Sequence, residues 1–108
     1  MFFFIRTTDK PSQSELRAKL ETKHRAYLDA QGATIVAAGA ILHDDGSDQG
    51  GGVYVIEAAD RAAAETFIHA DPFFKAGLFA HVEVLRWRKA YLDGKNVLTS
   101  DATSPAAR

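Results

Sequence analysis

The sequence predicts an α+β domain in which two helices lie on one face of a four-stranded antiparallel sheet. Three observations predict it: the elements read β-α-β-β-α-β over residues 2–87, each helical stretch carries one apolar stripe, and the strand segments are apolar on both sides. The 108 residues, 46% apolar and 25% charged, fit one globular domain. A chain of this length buries about two-thirds of its unfolded surface, enough for a core without metal or disulfide support.

Residues 2–6, Phe-Phe-Phe-Ile-Arg, favour a strand, which the polar, proline-containing Thr7-Thr8-Asp9-Lys10-Pro11 ends. Ser12 with Glu15 three residues on has capping-box spacing, and Leu16, Leu20, Tyr27 and Leu28 recur on one helical face until Gln31-Gly32. Residues 33–42 lack helical periodicity and contain β-branched side chains, so a buried strand with a glycine kink at Gly39 is expected. Residues 43–51 are polar and glycine-rich and read as a flexible loop. Residues 52–58 form the third strand. Asp60 caps a second helix with Ala63, Ala64, Phe67 and Ile68 inward, and Pro72 forces Asp71 out of helical geometry. Phe73 to Ala80 form a bend, and residues 81–87 are the fourth strand. The domain therefore spans 1–92, and residues 93–108 form a tail, flexible or docked on a dimer.

Two right-handed crossovers in this order give the ferredoxin-like split βαβ arrangement, with both helices on one sheet face. Phe2 to Ile5 and Val53 to Ile56 do not alternate with polar residues, so the other face also needs a cover. The expected cover is a second copy, sheet to sheet; the competing reading folds the tail or loop 43–51 over it.

Thirteen basic and fourteen acidic side chains give a net charge of -1, which lacks the long-range field that draws proteins to nucleic acid or anionic membranes. No nucleic acid or membrane partner is expected. The absence of cysteine excludes thiolate nucleophiles, iron–sulfur clusters and Cys-based zinc sites, and a cytoplasmic location is expected. The run Phe2–Ile5 is far shorter than a signal-peptide core of about 7–15 residues. No two of the four histidines have metal-ligand spacing, and Asp44, Asp45 and Asp48 lack the calcium-loop pattern, so neither metal nor cofactor is expected. Gly50-Gly51-Gly52 precedes a strand and not a helix, which fails the test for a phosphate-cradling loop.

His24 follows Leu20 by four residues and belongs to the inward stripe of the first helix; Asp71 follows Phe67 by four on the second. Neighbouring helices can bring the two together. A carboxylate on one ring nitrogen fixes the tautomer and leaves the other to take or give a proton. Two plainer readings stand beside this: His24 as a hydrogen-bonded core residue, and Asp71 as the N-cap of a turn opened by Pro72. The cap and the partner role are compatible. His43 and His69 read as solvated, His81 starts a strand where it can line either face, and Trp87 reads as a core or interface aromatic.

The segments His24-Arg-Ala-Tyr-Leu, Gly32 to Gly39, Gly52 to Glu57, Asp71-Pro72-Phe73 with Ala76-Gly77-Leu78, and Val82 to Trp87 resemble the YciI-like, or YCII-related, family over roughly residues 1–90. The resemblance implies a dimeric ferredoxin-like α/β barrel whose cleft holds a His–Asp pair mapping onto His24 and Asp71. Phe73, Gly39 and His81 are then expected on its substrate side. It also implies kinship with small barrels that isomerise lactones, eliminate chloride from chlorinated hydroquinones or oxidise aromatics without a cofactor. This sequence has Gly39-Ala40 where many relatives carry Gly-Pro, and a segment of its own at 43–51. Two functions follow as expectations: a small-molecule isomerase, lyase or hydrolase using His24 and Asp71 for acid–base chemistry, or a non-catalytic ligand-binding or assembly module of the same dimeric fold.

Overall fold

A computed structural model describes residues 1–98. The sheet is built from β1 (Phe2–Asp9), β2 (Ile35–Leu42), β3 (Asp48–Glu57) and β4 (Phe79–Trp87), all neighbours antiparallel, in the spatial order β2-β3-β1-β4. The helices are α1 (Ser14–Ala30), α2 (Arg61–His69) and the single turn α3 (Pro72–Lys75). The predicted α+β class and element order hold.

The two-residue period of the strands sorts the faces. Ile5 lies opposite Tyr54 and Val84, and Phe3 opposite Ile56, so these side chains share the face under the helices. They are buried with Ala64, Phe67 and Ile68 of α2, Phe73 of α3, and Leu78 and Phe79. Each large side chain in this cluster contributes about 1.5–3 kcal/mol by leaving water. α1 has no fully buried residue; Leu16, Leu20, Tyr27 and Leu28 only half-bury against the core. This helix stands off the sheet, and that matters for the site.

The opposite face is formed by Phe2, Phe4, Val53, Val55, Leu85 and Trp87, with Phe4 flanked by Val55 and Leu85. Leu85 is 51% exposed, and Phe2 meets Trp87 edge to face with centroids 6.4 Å apart. Among the described residues no helix is long and apolar enough to cross a membrane.

Four local expectations are corrected. Ser12 does not cap α1: Pro11 and Ser12, the latter at φ 61°, make a turn, and the helix starts one residue after an N-cap Gln13 that makes no side-chain cap. Residues 43–51 are a loop only in their first half. His43 and Ser47 close a short turn, and β3 begins at Asp48. The glycines misled because they serve close packing: a Cβ at Gly51 would collide with the Thr7 carbonyl oxygen, and one at Gly52 would lie 3.1 Å from that of Gly39. Gly39 is not a kink; the register shifts fall on either side of it, between Ile35 and Ala37 and between Ala40 and Leu42. Finally, the division at 92/93 runs through a hairpin, β5 (Tyr91–Leu92) and β6 (Lys95–Asn96). Asp93 and Gly94 turn it with φ 51° and 76°. The flexible-terminus reading of residues beyond 98 lies outside the described residues.

Candidate active site

The gap left by α1 is a cavity of about 760 Å³, walled by α1 on one side and by β2 and the start of β3 on the other. Its floor against the sheet is poor in side chains, since Ala38, Gly39, Ala40 and Gly50 to Gly52 line it. Arg17 and His24 line the helical wall. They are seven residues apart, two helical turns, and so project from one face of α1.

Asp71 is reached from the other direction. It ends the segment after α2, where its extended backbone lets the side chain accept from the Phe73 N–H at 2.8 Å and cap α3. The same carboxylate lies 2.9 Å from His24 Nδ1 through both oxygens and accepts from the Tyr54 hydroxyl at 3.3 Å. Asp71 is 0% exposed. Its three neighbours converge as donors, an arrangement that suits the ionised, acceptor-only carboxylate. The imidazole then presents Nδ1–H to Asp71. Its Nε2 makes no protein hydrogen bond, and because no buried side-chain nitrogen or oxygen among the described residues lacks a partner, Nε2 is the solvent-open end of a residue lining the cavity.

Aromatic packing fixes the ring. Phe73 stacks on His24 with centroids 4.0 Å apart and an interplanar angle of 14°, and the Arg17 guanidinium lies 4.6 Å from the centroid of the same phenyl ring. Asp9 grips Arg17 in a fork, Nε at 2.6 Å and Nη2 at 2.9 Å, and this pairing raises the pKa of Arg17 against the opposing effect of burial. Burial chiefly, then the charge and hydrogen bond of Asp71, pushes the Tyr54 hydroxyl far above its ordinary value, so it remains a donor. Tyr27, donating to the Phe67 carbonyl at 2.7 Å, is also raised by burial and by Asp71.

The structure thus brings His24, Asp71 and Phe73 together. Phe73 sits under the imidazole at 1% exposure as the bed of His24, and it also lines the cavity. Gly39 lines the cavity through its backbone. His81 is a correction: it pairs with Thr8 on the face away from the helices, where strand alternation puts it on the far side from His24, and it does not line the cavity. Arg17, Asp9 and Tyr54 were not anticipated. Arg17 was within reach, lying two turns from His24 on the same stripe; Tyr54 was marked only by its two-residue offset from Ile56. Among the described residues no group of three His, Asp or Glu side chains is placed to hold a metal.

No curated protein matches the chain. Among solved structures it is similar to 5-chloro-2-hydroxyhydroquinone dehydrochlorinase (TftG) from Burkholderia phenoliruptrix AC1100, determined with 2,5-dihydroxybenzoquinone. The two share 35% identity over 82% of this chain and 94% of that one, with a TM-score of 0.75. A structure assigned as an antibiotic biosynthesis monooxygenase from Bacteroides thetaiotaomicron shares the fold at 15% identity, covering 88% of this chain and 93% of that one, with a TM-score of 0.54. The YCII-related domain model matches residues 1–88, and with the similarity to TftG this means that the chain belongs to the YCII-related family.

Proposed function

We propose that this protein is a small-molecule enzyme of the lyase type, in which His24, oriented by Asp71, moves a proton on a ring substrate held in the cavity. The observation that carries this reading is an imidazole fixed on a fully buried carboxylate, with its second nitrogen open to a 760 Å³ cavity. The similarity to TftG supports elimination of chloride from a hydroxylated aromatic as the reaction to try first.

Such an elimination suits one reversible acid–base group. As one hydroxyl ketonises, its proton is lost and the carbon bearing chlorine gains one. As a second hydroxyl loses its proton, chloride leaves with the C–Cl electron pair. The net loss is HCl, the product is a hydroxyquinone, and no external oxidant is consumed. His24 Nε2 can take the hydroxyl proton and return it to carbon. Asp71 holds the imidazolium that forms between the two steps.

The apolar outer face adds a second part to the proposal. Phe4, Val55 and Leu85 are covered by the same face of a second copy, giving a two-fold dimer with the cavities outside the sheet-to-sheet contact. Sedimentation velocity on wild type and Leu85→Glu tests it; a wild-type monomer overturns it.

The chemical test is chloride release from 5-chloro-2-hydroxyhydroquinone by wild type and His24→Gln. Turnover that falls about 10²–10⁴-fold in the variant is expected. Equal rates in the two proteins refute the role of His24. A wild type that turns over no chlorinated ring, yet is thermally stabilised by ring ligands, instead favours a binding module.

A further inference from the structure

We propose that Tyr54 is a positioning residue for the acid–base pair: by donating its hydroxyl to Asp71 it takes up part of the carboxylate's charge and so loosens the hold of Asp71 on protonated His24. This inference rests on the reading of His24 and Asp71 as the proton-transfer pair, and it adds the side chain that sets how readily the pair gives its proton up.

Tyr54 occupies a position whose packing needs no hydroxyl. It lies on β3 between Ile5 of β1 and Ala38 of β2, on the inward face with Ile56, and is 4% exposed. Its ring stands edge to face with Phe67 and with His24. A phenyl ring would serve that packing, and a hydroxyl taken out of water there costs free energy unless it is bonded. Among the described residues the Tyr54 hydroxyl has one hydrogen-bond partner, Asp71 Oδ2 at 3.3 Å.

Asp71 divides two oxygens among three donors. Oδ1 takes the Phe73 N–H at 2.8 Å, both oxygens lie 2.9 Å from His24 Nδ1, and Tyr54 comes to Oδ2 from the sheet. The positive end of the Tyr54 O–H dipole is directed at the carboxylate, which weakens the negative potential that an imidazolium meets at Nδ1. The imidazolium is thereby held less firmly, and its proton leaves more readily through Nε2. Tyr54 keeps its own proton meanwhile, because burial and then Asp71 raise its hydroxyl far above the ordinary value. Among the described residues no other charged or titratable side chain bonds to Asp71. From α1, Tyr27 donates to the Phe67 carbonyl, Arg17 is forked on Asp9 of β1, and Glu21 pairs with Arg25 on the exposed side. Lys10 just after β1 and Asp48 of β3 line the cavity, and His69 of α2 and Lys75 of α3 are exposed.

The test is an NMR titration of the His24 ring in wild type, Tyr54→Phe and Tyr27→Phe, with the pH profile of chloride release from 5-chloro-2-hydroxyhydroquinone beside it. In Tyr54→Phe the midpoint of the His24 titration should rise by about 0.5–1 pH unit, the order of one modest hydrogen bond to the charged partner. The acid limb of the kcat/KM profile should move up by the same amount, because the base must first lose its proton. Tyr27→Phe also loses a part-buried hydroxyl, but none on Asp71, and should leave both where they are. A midpoint unmoved or lowered in Tyr54→Phe, or raised equally in Tyr27→Phe, overturns the proposal. If Tyr54→Phe does not fold, Tyr27→Phe protein carrying 3-fluorotyrosine decides. Fluorine strengthens the hydroxyl as a donor, so the His24 midpoint should fall relative to the same protein with ordinary tyrosine, and indifference overturns the proposal. A midpoint that rises in Tyr54→Phe, with no chloride released by wild type, leaves this inference standing and removes the elimination. Chloride release that His24→Gln abolishes, with the midpoint unmoved in Tyr54→Phe, does the reverse.

Discussion

Asp71→Ala removes three acceptor relationships at once, and their sum can be worked from the geometry. The cap on Phe73 N–H at 2.8 Å is worth about 1 kcal/mol, within a general range of about 0.5–2. The Tyr54 hydroxyl, buried and left without an acceptor, costs about 1 kcal/mol, the low end for an orphaned donor because its bond is long at 3.3 Å. His24 Nδ1 adds about 1 kcal/mol more, reduced because the imidazole can change tautomer or reach water through its 14% exposed side chain. The total is about 3 kcal/mol. That is a large share of the ~5–15 kcal/mol of a typical domain and a fall in Tm of roughly 12 °C. Asp71→Asn separates the contributions. Its amide oxygen can keep the cap and, 2.9 Å from Nδ1, still accept from the imidazole, while the charge is lost and the Tyr54 hydroxyl meets an NH₂ in place of its acceptor. Urea unfolding of both variants measures the difference. The expected pattern is a loss of about 3 kcal/mol in Asp71→Ala and about 1 kcal/mol in Asp71→Asn. Loss below about 1 kcal/mol in Asp71→Ala, or equal losses in the two variants, would refute the shared-carboxylate account.

Tyr54 titrates above its ordinary value near 10 in the folded protein, so the stability it contributes is complete below about pH 10 and is lost as pH rises further, because only the unfolded chain then sheds the proton. Each such tyrosine adds up to about 1.4 kcal/mol per pH unit to the alkaline slope, and Tyr54→Phe should remove that share while Tyr27 keeps its own. An identical slope of Tm against pH in the variant argues against this burial. Phe73→Ala should cost about 3–5 kcal/mol, since the ring is 1% exposed and underlies His24, and Phe73→Leu should fold while freeing the imidazole, seen as new mobility in its relaxation. Gly51→Ala should destabilise by more than about 2 kcal/mol because its Cβ collides with backbone, whereas Gly39→Ala meets nothing within 4 Å and should stay within about 0.5 kcal/mol of wild type; denaturant midpoints distinguish them.

The fold was legible because its signals are local and redundant. The stripe Leu16, Leu20, Tyr27 and Leu28 and the stripe Ala64, Phe67 and Ile68 both half-bury or bury as their periodicity requires, and Asp60 accepts from Ala63 N–H at 2.8 Å as a cap should. His24 and Asp71 were singled out because each falls on an inward stripe. What failed were places where one residue type has two uses. Glycine marks turns and also close backbone approach, and at Gly51 and Gly52 the second use won, so a strand was read as loop. Asp93-Gly94 is the reverse case, a hairpin turn signal present in the sequence but lost inside a polar tail. Arg17 was hidden because a lone arginine on a helix is usually solvated; its role exists only once Asp9, from another element, closes on it. His81 needed the register with Thr8, which no local pattern supplies.

One carboxylate serving as helix cap, tyrosine acceptor and histidine partner ties the site to folding itself. The N–H that Asp71 caps is the backbone of Phe73, whose ring stacks on His24, so the same turn sets both the acceptor for Nδ1 and the plane of the imidazole. Orientation of the base is therefore inherited from forming α3, and little conformational freedom remains to be lost when a ligand arrives. The coupling runs both ways. Changes at Asp71 or Phe73 must alter stability and proton transfer together, and His24, stacked on Phe73 and bonded to the fully buried Asp71, is tied to the fold through the same contacts. His24→Gln keeps an amide that can donate to Asp71 and should lose about 1 kcal/mol of stability, so turnover measured well below its unfolding midpoint reports on the imidazole and not on the fold.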